Sequence, residues 1–286
     1  MAEAAFPEGG LTMPSVLVTG AGRGIGLAIT EHMSQRGWDV YATARSDSAL
    51  SSLDRLSNVH AIPLDITDSA SIAKLSDQLP AALNGVVNSA GIIVNGPVEG
   101  LSLDDLSRQL DVNVTAQIGV TQAVLPKIRE ARGRIVFMSS VSGLITTPGT
   151  GAYSASKYAI ESLADALRME LRPWRIPVSL IEPGPIRTDM WGDMLTEHDR
   201  MVAKLTDENR ALYASHLAGT RKLLGRMQKV AADPKKVTKA VDHALTSRRP
   251  KRRYLLDIVS RTQKVVVAIT PTAVNDAVLA AATTSK

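Results

Sequence analysis

Seven apolar runs punctuate the chain: SVLVTG (15–20), DVYATA (39–44), VHAIPL (59–64), GVVNSA (85–90), RIVFMS (134–139), PVSLIE (177–182) and RRYLLDI (252–258). Most are near-continuous in Val, Ile and Leu rather than alternating with polar residues, which is how strands buried on both faces read. Longer stretches with helical patterning separate them. The resulting βαβ order predicts an α/β chain whose crossover helices cover both faces of a doubly wound parallel sheet of about seven strands. Helix punctuation agrees: Asp68 heads DSASIAKLSDQL, Asp104 heads a stretch reaching to about Glu130, and Pro173 ends the helix that begins near residue 152. No linker divides the chain, so one domain is expected over residues 14–260. Residues 188–230 form an unusually long insertion between the sixth and seventh runs, and insertions of this kind often carry specificity. Residues 1–13 read as a flexible leader, and no role is assigned to the tail 261–286.

Composition narrows the chemistry. The 286 residues are 44% hydrophobic and only 21% charged, enough for one large core. With no Cys, disulfides, zinc–thiolate sites and cysteine nucleophiles are excluded, and a reducing, cytoplasmic setting is expected. The five His are scattered without metal-binding spacing, so no metal is expected, and His32, His60, His198, His216 and His243 read as surface or helix residues. The opening MAEAAFPEGGLT has no basic-then-apolar order and is not a secretory signal. The longest apolar run near the C-terminus, VVVAI, is far short of the roughly 20 residues of a membrane span. The net charge of +5 is concentrated in RRPKRR (248–253). Only 3% of residues are aromatic, so stacking platforms are scarce and this run reads as a solvated loop rather than a nucleic-acid site.

The first run leads directly into TGAGRGIG (19–26) and then a helical stretch. A tight turn at Gly20, with Gly24 and Gly26, lets backbone approach a pyrophosphate, and the following helix N-terminus offers unpaired N–H groups. The spacing is T-G-x-x-x-G-x-G rather than the usual G-x-G-x-x-G. At this point the chain resembles the short-chain dehydrogenase/reductase family, in its Tyr-x-x-x-Lys form, through ordered motifs spanning about residues 14–190. LDIT (64–67), NSAG (88–91, with Ser89 where the family has a second Asn), DVNVTA (111–116), MSSVSG (138–143), YSASK (153–157) and PGPIRT (183–188) follow one another.

The resemblance implies a single Rossmann-type domain and an NAD(P)-dependent oxidoreductase with Asn113, Ser140, Tyr153 and Lys157 as catalytic residues. Ser140 is preferred over Ser139 and Ser142 by its thirteen-residue distance from the tyrosine, and adjacent strand-end serines point to opposite faces. Tyr153 is implied as acid or base, Ser140 as a partner of the substrate oxygen, Lys157 as a ribose ligand that favours phenolate, and Asn113 as a helix-perturbing residue that holds a water near the lysine. An ammonium about 5 Å from the phenol would bring it toward pH 7–8. Cofactor contacts are implied for Gly20, Arg23, Gly24, Ile25, Gly26, Arg45, Asp65, Ile66, Asn88, Ala90, Gly91, Tyr153, Lys157, Pro183, Gly184, Ile186 and Thr188.

NAD specificity places a carboxylate about 20 residues past the glycine turn. Here Ala44 is followed by Arg45, and Arg23 offers a second guanidinium fork suited to a phosphate, so NADP(H) is expected over NAD(H), with Asp47 as a complication. Leu144, Ile145, Met190, Trp191 and Met194 suggest a mostly apolar substrate, a hydrophobic secondary alcohol or its ketone, and EPGPIRTDMW with the long C-terminal region resembles family members that act on steroids, retinoids or other bulky alcohols. A 3-oxoacyl thioester reductase shares the same motifs, and a non-catalytic NADP(H) sensor or scaffold is the alternative of another class. The resemblance also implies a homodimer or homotetramer through helices near 104–130 and 152–171.

Overall fold

In the computed structural model, residues 13–188 and 190–284 are described, so all of the expected leader 1–13 except Met13 lies outside them. The elements run β1 (Ser15–Val18), α1 (Gly24–Gln35), β2 (Asp39–Ala44), α2 (Asp47–Leu53), β3 (Val59–Pro63), α3 (Ser69–Leu75), β4 (Gly85–Asn88), α4 (Leu103–Leu110), α5 (Ala116–Ala131), β5 (Arg134–Met138) and α6 (Gly151–Glu170). They continue with β6 (Val178–Glu182), α7 (Met190–Lys204), α8 (Asp207–Leu212), α9 (Ala214–Val230), α10 (Lys235–Thr246), β7 (Arg253–Leu255), α11 (Ile258–Ile269) and α12 (Thr272–Thr283). All seven strands pair in parallel, in the order β3-β2-β1-β4-β5-β6-β7. The order reverses at β1, so β1 and β4 splay their following loops to opposite faces and open a crevice at their C-terminal ends.

Alternate strand residues face opposite layers. Val16, Val18, Val136 and Ile181 pack with Ile29, Met33, Val237, Val241 and Leu245 from α1 and α10. Leu17, Val86, Ile135, Phe137 and Leu180 pack with Leu75, Val120, Val124, Ile128 and Ile160 from α3, α5 and α6. Each strand feeds two cores, which is why its sequence shows no polar face.

Several boundaries differ from those expected. The long stretch after Asp104 is two helices, α4 capped by Ser102 through the Asp105 N–H, joined to α5 by a wide π turn over Asp111–Thr115. Asp68 does cap α3, accepting from the Ala70 and Ser71 N–H groups. β7 is only three residues long. The basic run divides: Arg248, Arg249, Lys251 and Arg252 are exposed, but Arg253 turns inward. It pairs with Glu161, with Asp165 at 2.6 Å and with Glu182 at 2.8 Å, linking β7 to α6 and the end of β6.

The π turn lines up three amides. Gln109, Asn113 and Gln117 are spaced by four, and on a regular helix of 3.6 residues per turn each step would overshoot the last by about 40°. The wider turn takes back part of that drift. Gln109 Oε1 accepts from the Val94 N–H (2.6 Å), Asn113 brackets Ile92 through both its N–H (2.8 Å) and its carbonyl (3.0 Å), and Gln117 donates to the Ala90 carbonyl (2.8 Å). An extended segment just after β4 is thus fastened to the helices by side chains.

Candidate active site

The crevice at the strand C-termini holds a cavity of ≈ 470 Å³. Its floor is the glycine turn. Gly20 adopts φ +66°, and a Cβ there would lie 2.7 Å from Ala90 Cα; a Cβ on Gly26 would lie 2.2 Å from the Gly20 carbonyl oxygen. Only glycine permits this turn to press against the segment after β4. Thr19 completes the junction, its hydroxyl accepting from the Ser89 (3.0 Å) and Ala90 (3.2 Å) N–H groups. The Ser89 departure is therefore met by backbone. The N-terminus of α1 has no side-chain cap, so its first-turn N–H groups open toward the cavity that Arg23, Ile25 and Gly26 line. This arrangement fits the pyrophosphate of a dinucleotide.

Arg45, Asp65, Ile66, Ala90, Gly91, Pro183, Gly184, Ile186 and Thr188 also line the cavity. Asp65 accepts from the Thr67 N–H (2.9 Å) and hydroxyl (2.7 Å), and these bonds, with a smaller contribution from the Arg45 charge, hold its carboxyl below the usual range. Two expected cofactor residues stand back from the wall. Gly24 (φ +59°) shapes the turn, and Asn88 is buried, donating to Thr121 Oγ1 at 2.9 Å.

Tyr153 and Lys157 enter from the first turns of α6, and Ser139 and Ser140 from the end of β5. Both serines reach the cavity lining, so alternation does not exclude Ser139; what separates them is bonding. The Ser140 hydroxyl hydrogen-bonds the Tyr153 phenol, whereas Ser139 Oγ is buried without a partner. Lys157 Nζ donates to the Met138 carbonyl at 2.8 Å and lies 5.5 Å from the Tyr153 ring centroid. The electrostatics of the chain alone correct the expectation of a lowered phenol. Burial pushes Tyr153 up, with the Ser140 hydrogen bond opposing, and the same desolvation brings Lys157 down to about 8. Asn113 is fully buried behind the wall in the π turn and also donates to Ser156 Oγ at 3.1 Å. Its side-chain bonds go to Ile92 and Ser156 rather than to Lys157.

Of the five expected substrate residues, Met194 lines the cavity, Leu144 and Ile145 do not, and the side chains of Met190 and Trp191 lie outside the described residues. Sequence reasoning missed Ile92, Ile93, Val112 and Met227, which supply apolar wall. Met227 lies within the 188–230 insertion, and its periodicity with Leu224 and Thr220 was the available signal. Among the described residues there is no cluster of His, Cys, Asp or Glu able to hold a metal, and no helix is long and apolar enough to cross a membrane.

A glycine-turned dinucleotide crevice at a topological switch point, with a Ser–Tyr–Lys group on its wall, defines a Rossmann-type oxidoreductase. A family model described as short chain dehydrogenase matches residues 14–199. The chain is 35% identical over 277 residues to the uncharacterized oxidoreductase YbbO of Escherichia coli K12, covering 95% of this chain and 96% of that protein. It is 34% identical over 277 residues to human retinol dehydrogenase 5, covering 92% and 87%. A solved short-chain dehydrogenase from Streptomyces avermitilis superposes with a TM-score of 0.77 at 29% identity, covering 91% of this chain and 93% of that one. The chain belongs to the short-chain dehydrogenase family and is an oxidoreductase that uses NAD(P).

Proposed function

We propose that the chain transfers a hydride between NADP(H) and a hydrophobic secondary alcohol or its ketone. The observation that carries this reading is the shared cavity: Ser140, Tyr153 and Lys157 stand on the wall of the crevice that the glycine turn floors and Met194, Met227, Ile92 and Ile93 line with apolar surface. The cofactor supplies or receives the hydride at the carbinol carbon. Tyr153 donates the proton to the carbonyl oxygen in reduction and takes it from the hydroxyl in oxidation. Ser140 holds that same oxygen, and Lys157, whose Nζ lies 5.5 Å from the Tyr153 ring centroid, holds the nicotinamide ribose. The Pro183–Thr188 segment orients the nicotinamide. Asn113 positions α4, α5 and the Ala90–Val94 segment, and through Ser156 it supports the turn of α6 that carries Lys157. Similarity to a retinol dehydrogenase supports an apolar alcohol as substrate. Following NADPH absorbance against a panel of ketones tests the reading. Turnover of bulky apolar ketones is expected, and turnover confined to small sugars or carrier-bound acyl groups, or none, would overturn it.

Cofactor preference is carried by Arg45, at the end of β2 where a carboxylate would select NAD, and by Arg23 in the glycine turn. Both residues line the cavity. A charge-assisted hydrogen bond contributes about 1.5–3 kcal/mol, roughly 10- to 150-fold. Arg45→Ala is expected to raise the KM and Kd for NADPH at least several-fold, with those for NADH nearly unchanged. Equal loss with both cofactors, in kinetics and in fluorescence titration, would remove the assignment. Tyr158 and Leu163, exposed on α6, suit that helix to face a second copy of the chain. Light scattering that gives a single-chain mass in solution would remove this part of the proposal.

A further inference from the structure

All seven strands run parallel, so the segments that lead into them lie at the end of the sheet opposite the crevice. Four arginines converge at that end. Arg168, Arg172 and Arg175, from the close of α6 and the turn beyond it, meet Arg252, which leads into β7, around an open hollow of ≈ 590 Å³. Met169, Ile176 and Pro177 supply its apolar lining. The hollow is remote from the chemistry. Helix α6 has 20 residues and is about 30 Å long; it carries Tyr153 and Lys157 in its first two turns and this hollow at its last.

The positive charge gathered here is largely unmatched. Of the four arginines only Arg168 has an acid partner, Asp165 at 2.8 Å, and that carboxylate is also held by Arg253 at 2.6 Å. Among the described residues, the side chains of Arg172, Arg175 and Arg252 make no hydrogen bond or ion pair. Their backbones, in contrast, are fixed. Arg172–Trp174 is a single helical turn in which the Trp174 N–H donates to the Leu171 carbonyl (3.1 Å) and the Arg175 N–H to the Arg172 carbonyl (3.0 Å). Leu171 and Ile176, both buried, anchor its two ends. The Arg252 carbonyl accepts from the Leu180 N–H at 2.9 Å, which ties the third arginine to the sheet. Three like charges are thus rooted around one concavity, where a multiply charged anion relieves their mutual repulsion.

We propose that this hollow is a second ligand site, which takes a phosphate or pyrophosphate group on Arg172, Arg175 and Arg252 and rests the ligand's apolar part against Met169 and Ile176. A guanidinium presents a planar fork that suits phosphate oxygens bidentately, and three such forks match more than the single charge of a carboxylate. The phosphate belongs to a compact group rather than to a nucleic acid. The cations converge on one place instead of tracking along a groove, and no aromatic ring lines the hollow for a base to stack on. Trp174, exposed nearby, already carries the Arg129 guanidinium over its ring at 4.9 Å. The same chemistry is offered by a soluble phosphoester and by a lipid headgroup, and the site is independent of the hydride-transfer reading.

Calorimetry with pyrophosphate tests it, on the chain saturated with whichever of NADPH or NADH binds more tightly, so that the glycine turn is already occupied. Saturable one-to-one binding that weakens as salt rises is expected. Arg172→Gln and Arg252→Gln should each weaken it by about 5- to 10-fold, and the double variant further. Arg249→Gln, equally exposed but not lining the hollow, should leave it unchanged. The replaced side chains are exposed, so unfolding midpoints without ligand should match the wild type. Vesicles of phosphatidylcholine with phosphatidylglycerol separate the two sources. Co-sedimentation that pyrophosphate competes and the double variant loses assigns the site to a lipid headgroup; pyrophosphate binding without co-sedimentation assigns it to a soluble phosphoester. Absence of saturable binding, an equal loss in Arg249→Gln, or capture of a single-stranded oligonucleotide that pyrophosphate does not compete overturns the proposal.

Discussion

Replacing Tyr153 by phenylalanine is expected to lower turnover by about 10²–10⁴, the range that a positioned proton donor contributes, while NADP(H) binding largely survives. The phenylalanine keeps the ring and deletes only the oxygen that Ser140 hydrogen-bonds. Lys157→Ala is expected to lose both turnover and cofactor affinity, because Nζ is held at the Met138 carbonyl on the wall of the same cavity. The pH dependence follows from which protonation state each direction needs. Oxidation needs a phenolate, and in the chain alone the phenol is raised by burial while the neighbouring ammonium is lowered to about 8. In the chain alone, therefore, no phenolate is already formed at neutral pH. Oxidation rates should rise through the alkaline range and reduction rates fall there. The positive charge of an oxidised nicotinamide would move the rise to lower pH. Steady-state rates across pH for wild type and variant, with cofactor affinity by fluorescence titration, check this. Near-normal rates in the phenylalanine variant with an unchanged pH profile would remove Tyr153 as the proton carrier.

Arg253→Ala is expected to destabilise the fold by about 3–5 kcal/mol, the cost of removing one partner from a buried ion pair. Glu182 is fully buried and Glu161 nearly so, and with Asp165 they share this guanidinium. Without it, carboxylates from α6 and β6 face each other in a space with little water. Urea unfolding with a wild-type slope would report the loss directly, and Arg253→Lys should recover only part of it, since an ammonium cannot match a fork shared by three acids. A loss below about 1 kcal/mol would place this cluster with exposed surface pairs, which contribute little. The cluster also bears on the site. Glu161 lies one turn beyond Lys157 on α6, and Glu182 immediately precedes the Pro183–Thr188 segment.

The fold was legible because its strands are buried on both faces and so appear as continuous apolar runs, and because Gly20 and Gly26 sit where any Cβ would collide with backbone. The wall residues Ser140, Tyr153 and Lys157 were legible through the ordered motifs that resemble the family, since a tyrosine and a lysine four apart on a helix face are by themselves commonplace. What escaped depended on distant partners. RRPKRR has the composition of a solvated loop, yet Arg253 is drawn in by acids on other elements that local composition does not report. The stretch after Asp104 reads as one helix because each half is helical, and the π turn between them is set by the loop it grips. Ser139 and Ser140 both reach the cavity because the chain leaves the strand there. His198 looked like one scattered histidine among five, yet it is buried, on a helix against which α9 packs.

The wide turn at Asp111–Thr115 makes chain length itself part of the specification. A variant lacking a single residue in this turn would form a smoother and intrinsically better helix, with every side chain still of a permitted type. Its amides would no longer stand in one row, however, and the segment from Ala90 to Val94, which belongs to no sheet, would lose the fasteners that hold it against the glycine turn. At this place a gap of one position is a graver change than most substitutions, because it trades the aim of Gln109, Asn113 and Gln117 for regularity.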